Sequence, residues 1–190
     1  TGWNRPEYAQ MGMWPGDEHY QSRYDYAAEY VQILQALWRE GRASWDGRYF
    51  QLDDCSVLPT PNREIPLVCA GASPAGRQFV AQYADHQFVL TSEDKLVGSV
   101  ADIRAKAIET KRDVGIYALF HLIVADSDQQ ARAEVDAIIA GADQGAISNI
   151  LASADLDTNA DGTAEQLKAA LDQDVETGNM AFMGIPVIYG

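Results

Sequence analysis

Long apolar runs are missing from this sequence. No stretch approaches the roughly 20 consecutive apolar residues that a membrane-spanning helix needs. The polar opening Thr1-Gly2-Trp3-Asn4-Arg5 does not read as a secretory signal peptide. Basic residues are also scarce, and the formal net charge of -14 argues against nucleic acid, whose phosphates demand a basic surface. With only two cysteines, Cys55 and Cys69, there is no disulfide framework, and no CxxC or Cys/His spacing for a metal. Both are read as reduced thiols, Cys69 as a small buried hydrophobe, with the cytoplasm as default compartment.

What is present is the composition of an ordinary globular protein, long enough at 190 residues for one domain with a sizeable core. The chain has no initiator Met and stops just after the apolar run in Gly184-Ile185-Pro186-Val187-Ile188-Tyr189-Gly190. Residues 1–190 are therefore expected to form a single incomplete domain, truncated at both ends.

The clearest element is a helix from about Asp17 to Glu40. Tyr20, Tyr24, Ala27, Val31, Leu34 and Trp38 recur at steps of four and three, the spacing of one helical face. Asp17 and Glu18 suit its N-terminal end and Gly41 its stop. A hairpin follows, with Ala43–Trp45 and Arg48–Leu52 joined by an Asp46-Gly47 turn. Beyond it the pattern alternates: strand Ile65–Ala70, a helix through Phe79 and Tyr83, strand Gln87–Thr91, a helix from Leu96 to Thr110, and strand Gly115–Ala125. The last strand is apolar on both faces and is expected to be buried on both. Helices are expected at Asp128–Ala140, Asp143–Ala154 and Ala164–Asp172. Apolar strands separated by amphipathic helices predict an α/β fold with a parallel sheet. Periodicity leaves an open doubly wound sheet and part of an eight-stranded barrel equally available, although no GxGxxG fingerprint is present.

Three places could carry chemistry. The loop Ala70-Gly71-Ala72-Ser73-Pro74 joins a buried strand to a helix, with Ser73 as N-cap and Pro74 at the first helical position. Helix N-termini at strand C-terminal ends suit phosphate groups; a plain helix cap is the alternative. In Ser22-Arg23-Tyr24-Asp25-Tyr26, Arg23 offers a fixed cation and Tyr24 a donor hydroxyl, against the alternative of a solvated arginine beside a core tyrosine. Glu7, between Trp3 and Tyr8 in an opening segment without regular periodicity, either lines a pocket or packs at an element end. The histidines His19, His86 and His121 show no metal spacing, and His121 reads as a satisfied core residue, with a pocket position as the alternative. Asp157-Thr158-Asn159-Ala160-Asp161-Gly162 mimics half of a calcium loop. Its twelfth position is Lys168, a cation where calcium needs a carboxylate, and Thr163 with Gln166 reads as a capping box. No metal is expected.

Taken together, TGWNRPEYAQMGMWPGDEHYQSRYDYAAEYVQILQALW, GRASWDGRYFQLDDC and VCAGASPAGRQFVAQYAD resemble the bacterial-luciferase-like flavin monooxygenases. Within that superfamily they are most similar to the pyrimidine monooxygenases that open the uracil ring. The resemblance implies a (β/α)8 TIM barrel, here about strands five to seven with the end of strand four, carrying a hairpin and helical insertion, the eighth strand being absent. It carries FMN contacts onto Glu7, Arg23, Tyr24 and Ser73, and leaves the catalytic side chains unknown. It further implies reduced FMN supplied by a separate NADH-dependent flavin reductase, O2 as co-substrate, a small-molecule substrate and identical subunits as partners. The activity implied is oxidative opening of a pyrimidine ring, the piece alone being expected to be inactive and to aggregate or stay loosely packed. Thr91-Ser92-Glu93-Asp94-Lys95 departs from the Gly-rich stretch of the pyrimidine enzymes. That keeps open a superfamily relative acting on an alkanesulfonate or sulfone. A non-catalytic flavin-binding module is the other alternative.

Overall fold

The computed structural model describes residues 5–91, 93–154, 181–182 and 185–189. It begins with a short helix, α1 (Arg5–Gln10), where the sequence pattern predicted irregular chain. Pro6 near its start explains the difference, since its fixed φ favours a first helical turn that periodicity over so short a span does not register.

Helix α2 (Asp17–Glu40) has the predicted bounds. Asp17 and Glu18 face the positive end of the helix dipole, and Gly41 ends the helix in the left-handed region at φ 71°, returning its N–H to the Leu37 carbonyl. The buried face is broader than the predicted stripe. Tyr20 and Val31 are buried as expected, but so are Ile33 and Leu37, because α2 packs on two partners. Ile33 and Leu37 join Ala43 in a cluster beneath the hairpin, closed by Trp45, Phe50 and Leu52. On another side, Tyr24 lies against Phe79, ring centroids 5.7 Å apart.

The hairpin pairs β1 (Arg42–Asp46) with β2 (Gln51–Ser56). Asp46 faces Gln51, so residues 47–50 form a four-residue loop rather than the predicted two-residue Asp-Gly turn. The reason lies outside the hairpin. Glu29 on α2 accepts hydrogen bonds from the backbone N–H groups of Arg48, Tyr49 and Phe50, each at 2.8 Å, drawing the loop onto the helix. Local turn signals cannot contain a carboxylate nineteen residues upstream of the nearest of these amides.

Next comes a βαβαβ unit: β3 (Val68–Cys69), α3 (Pro74–Tyr83), β4 (His86–Val89), α4 (Glu93–Thr110) and β5 (Gly115–Ala118). The three strands are parallel in the order β3-β4-β5. Val80 and Ala81 of α3 and Ala84 at its C-terminal end meet Ile103 and Ala107 of α4 over Cys69, Val114 and Ile116, forming the core of the unit. Arg77 and Asp102 link the two helices by an ion pair of 2.7 Å.

The predicted strand Gly115–Ala125 is divided. β5 ends at Ala118, and β6 (His121–Ile123) pairs in parallel with β8 (Ile185–Tyr189), which also receives β7 (Ala181–Phe182) antiparallel. A further strand therefore adjoins the last predicted one, where the sequence reading placed none. Burial on both faces is also corrected: Tyr117, Leu122 and Val124 are 50%, 68% and 73% exposed. In β5 the helix-facing side carries Ile116, and Tyr117 points the other way with a histidine ring, not a helix, against it. Helix α5 (Asp128–Ala140), capped by Ser127, packs on β6 and β8, and α6 (Gln144–Ala154) follows, with Asp143 accepting from the Ala146 N–H. The expected helix Ala164–Asp172 and the calcium-like segment Asp157–Gly162 with Lys168 lie outside the described residues.

Candidate functional site

At the C-terminal end of β3 the chain turns through Gly71 and Ala72 into α3. Ser73 is the N-cap, with Pro74 at the first helical position, and its Oγ accepts the Gly76 N–H at 3.1 Å. Its hydroxyl therefore keeps a proton to donate. The turn is closed by two glycines in mutual contact; a Cβ on Gly71 would lie 2.8 Å from the Gly76 Cα. Beneath it, Gln87 of β4 donates its amide to the Gly71 carbonyl at 2.9 Å.

Tyr24 comes from α2 to the same place. Its ring rests on Phe79 and its hydroxyl lies 3.4 Å from the Ser73 Oγ. That separation is long for a hydroxyl pair, so neither group is strongly committed to the other and both can turn to a shared acceptor. A Cβ on Gly76 would come 2.7 Å from the Tyr24 hydroxyl, so the cradle exists only while glycine stands there. Two donor hydroxyls, a glycine-lined turn and a helix N-terminus at the C-terminal end of a parallel strand match the chemistry of a phosphate group.

Arg23 is disposed differently. Its guanidinium donates to the Tyr20 carbonyl at 2.6 Å and lies 4.0 Å above the Tyr20 ring and 4.8 Å from the centre of the Tyr24 ring. The structure thus brings Tyr24 and Ser73 together and sets Arg23 beside Tyr24, folded back along its own helix. Arg23 faces a cavity of about 490 Å³ between α1 and α2, lined by Tyr8, Trp14, His19 and Tyr26 among others. Glu7 is on α1, next to Tyr8, but its side chain lies outside what the structure describes.

The other singled-out residues stand apart. His86 stacks on Tyr117 at 4.7 Å, and His121 is half-buried at the start of β6 rather than in a core. Cys69 is half-buried against the α3–α4 core, and burial, with the Asp85 charge nearby, pushes its thiol pKa up. A raised thiol pKa makes it a poor nucleophile. Among the described residues no three His, Cys, Asp or Glu side chains gather as a metal site requires. Sequence reasoning missed Gln87, whose one signal was an amide between His86 and Phe88 in a short strand. It also missed Glu29, where desolvation works against the charge but the three backbone donors outweigh it and hold the carboxyl below its usual range.

Residues 1–182 match the family profile described as luciferase-like monooxygenase. The pyrimidine monooxygenase RutA of Klebsiella pneumoniae is 43% identical over 162 residues, covering 83% of this chain and 45% of the relative. The chain thus spans about half the length of the curated relatives it matches. Among solved structures, DmoA from Hyphomicrobium sulfonivorans superposes with a TM-score of 0.57 at 25% identity, over 65% of this chain and 32% of that one. The EDTA monooxygenase EmoA from Chelativorans sp. BNC1 shares the fold at 18% identity, with a TM-score of 0.64 over 90% of this chain and 49% of that one.

Proposed function

Because the chain belongs to the luciferase-like monooxygenase family, we propose that the whole protein is an FMN-dependent monooxygenase that uses reduced flavin and O2 to open a uracil-type pyrimidine ring. The observation that carries the flavin half of this reading is the meeting of the Tyr24 and Ser73 hydroxyls at the N-terminus of α3. Support for the pyrimidine half is the 43% identity to a pyrimidine monooxygenase.

In this reading Ser73 and Tyr24 donate to the FMN phosphate, and the dipole of α3 favours its charge. Arg23, stacked between the Tyr20 and Tyr24 rings, supplies the neighbouring positive charge. Glu7 contributes from α1. The aromatic walls of the cavity beside Arg23, including Tyr8, Trp14 and Tyr26, exclude water from whatever ring system lies there. The flavin, when bound, supplies the oxygen chemistry, while the chain's residues bind and orient it. No described side chain is assigned as acid, base or nucleophile.

We further read residues 1–190 as part of one (β/α)8 barrel domain. β3, β4 and the divided β5–β6 are successive barrel strands, and β8 is next beside β6. A separate NADH-dependent flavin reductase is the source of reduced FMN, identical subunits are the expected partners, and the cytoplasm is the compartment. The full-length protein is tested with uracil, FMN, NADH, a flavin reductase and oxygen. The reading requires uracil absorbance to fall only when all five are present. Intact uracil with consumption of an alkanesulfonate or sulfone under the same conditions would replace the pyrimidine substrate. Flavin binding without turnover of any of them would leave a binding module.

A further inference from the structure

We propose that Gln87 is a positioning residue for the phosphate cradle, acting through the Gly71 carbonyl on Ser73 and Tyr24. The proposal rests on the phosphate reading of that junction.

Gln87 is 2% exposed, in the middle strand of the parallel sheet. Its register partners are Cys69 on β3 and Ile116 on β5. Both pack against the apolar cluster of α3 and α4, so Gln87 stands in the helix-facing layer between two hydrophobic neighbours. An amide there loses its water and must be repaid by hydrogen bonds. Only half of it is: Nε2 donates to the Gly71 carbonyl at 2.9 Å, while Oε1 is buried with no hydrogen-bond partner among the described residues. A methionine or leucine here would remove that orphaned oxygen but would also take the donor from the Gly71 carbonyl, so stability alone gives the amide little advantage.

What the amide achieves is a fixed Gly71. That residue touches Gly76 so closely that a Cβ on either would meet the other's backbone at 2.8 Å. Gly76 in turn donates its N–H to the Ser73 Oγ and abuts the Tyr24 hydroxyl. The linkage from Gln87 to the two hydroxyls is therefore a run of direct contacts, in which a shift of Gly71 moves the helix start and the serine together. Gln87 touches no ligand in this scheme; it sets where the donors stand.

The test uses the full-length protein as wild type, Gln87→Met, Ser73→Ala and the double variant. Binding of FMN and of riboflavin, which lacks the phosphate, is read by fluorescence quenching alongside the melting temperature. Gln87→Met should melt close to wild type, the removed orphan oxygen offsetting the donor lost by the Gly71 carbonyl, bind FMN about tenfold more weakly, the worth of one hydrogen bond to a charged group, and bind riboflavin unchanged. In the Ser73→Ala background the same change should cost less than in wild type, because one of the two hydroxyls it positions is already gone. Equal losses for both flavins, an additive double variant or unchanged FMN binding would each overturn the positioning role. If Ser73→Ala alone leaves the preference for FMN over riboflavin intact, the phosphate reading fails, and the role of Gln87 with it. Should Gln87→Met not fold, Gln87→Leu takes its place; failure of both would make the residue structural and overturn the proposal.

Discussion

Tyr24 and Ser73, forty-nine residues apart in sequence, bring their hydroxyl oxygens within 3.4 Å of each other where α2 passes the start of α3. The tyrosine arrives because its ring packs on Phe79, six residues beyond the serine. The site is thus a by-product of how α2 packs, and altering that packing should alter binding.

Gly76→Ala tests this directly. The new Cβ would lie 2.7 Å from the Tyr24 hydroxyl and 2.8 Å from the Gly71 Cα, and the backbone contact cannot be relieved by a rotamer change. FMN affinity of the full-length protein should fall by at least about tenfold, the loss of one charge-assisted hydrogen bond. Titration with unchanged affinity would mean that the cradle is not where the flavin phosphate sits.

The Glu29 carboxylate gives a pH prediction. Its pKa is lowered in the folded protein, so its contribution to stability is present above the unfolded carboxyl pKa and is lost as pH falls through the lower, folded value. Hydrogen exchange at the amides of Arg48, Tyr49 and Phe50 should therefore accelerate, beyond the intrinsic pH effect, as the pH is taken down through the carboxylate range. Glu29→Gln should show weaker protection at neutral pH and lose that additional acid dependence. Identical protection in the two proteins would remove Glu29 as the organiser of the loop.

Core and surface apolar residues of one helix should separate cleanly. Ile103 is fully buried between α3 and α4, whereas Ile108 on the same helix is 76% exposed. Ile103→Ala should destabilise by about 2–5 kcal/mol, and Ile108→Ala by no more than about 0.5 kcal/mol. Thermal melts of the two variants check it. Equal effects would mean that α4 packs with a different face inward.

These cases show where the sequence was readable. Helix α2 announced both of its ends, because its acidic first turn and Gly41 are local signals. The alternation of β3, α3, β4 and α4 was legible for the same reason, and so was Ser73, whose cap needs only Pro74 and Gly76 nearby. The four-residue hairpin loop was not, since Glu29 imposes it from another element. Neither was the division at Ala118–His121, because strand partners are chosen by distant residues such as Val187 and Ile188. The sequence offered Arg23 and Tyr24 as one adjacent pair. Helical geometry turns neighbouring side chains about 100° apart, so Tyr24 reaches Ser73 while Arg23 lies over Tyr20.

The phosphorus-31 resonance of FMN bound to the full-length protein interrogates the Tyr24–Ser73 junction most directly. With both hydroxyls intact the bound signal should be displaced from that of free FMN, and Tyr24→Phe combined with Ser73→Ala should return most of that displacement. A bound resonance identical in the wild type and the double variant would contradict the assignment of the flavin phosphate to these two residues.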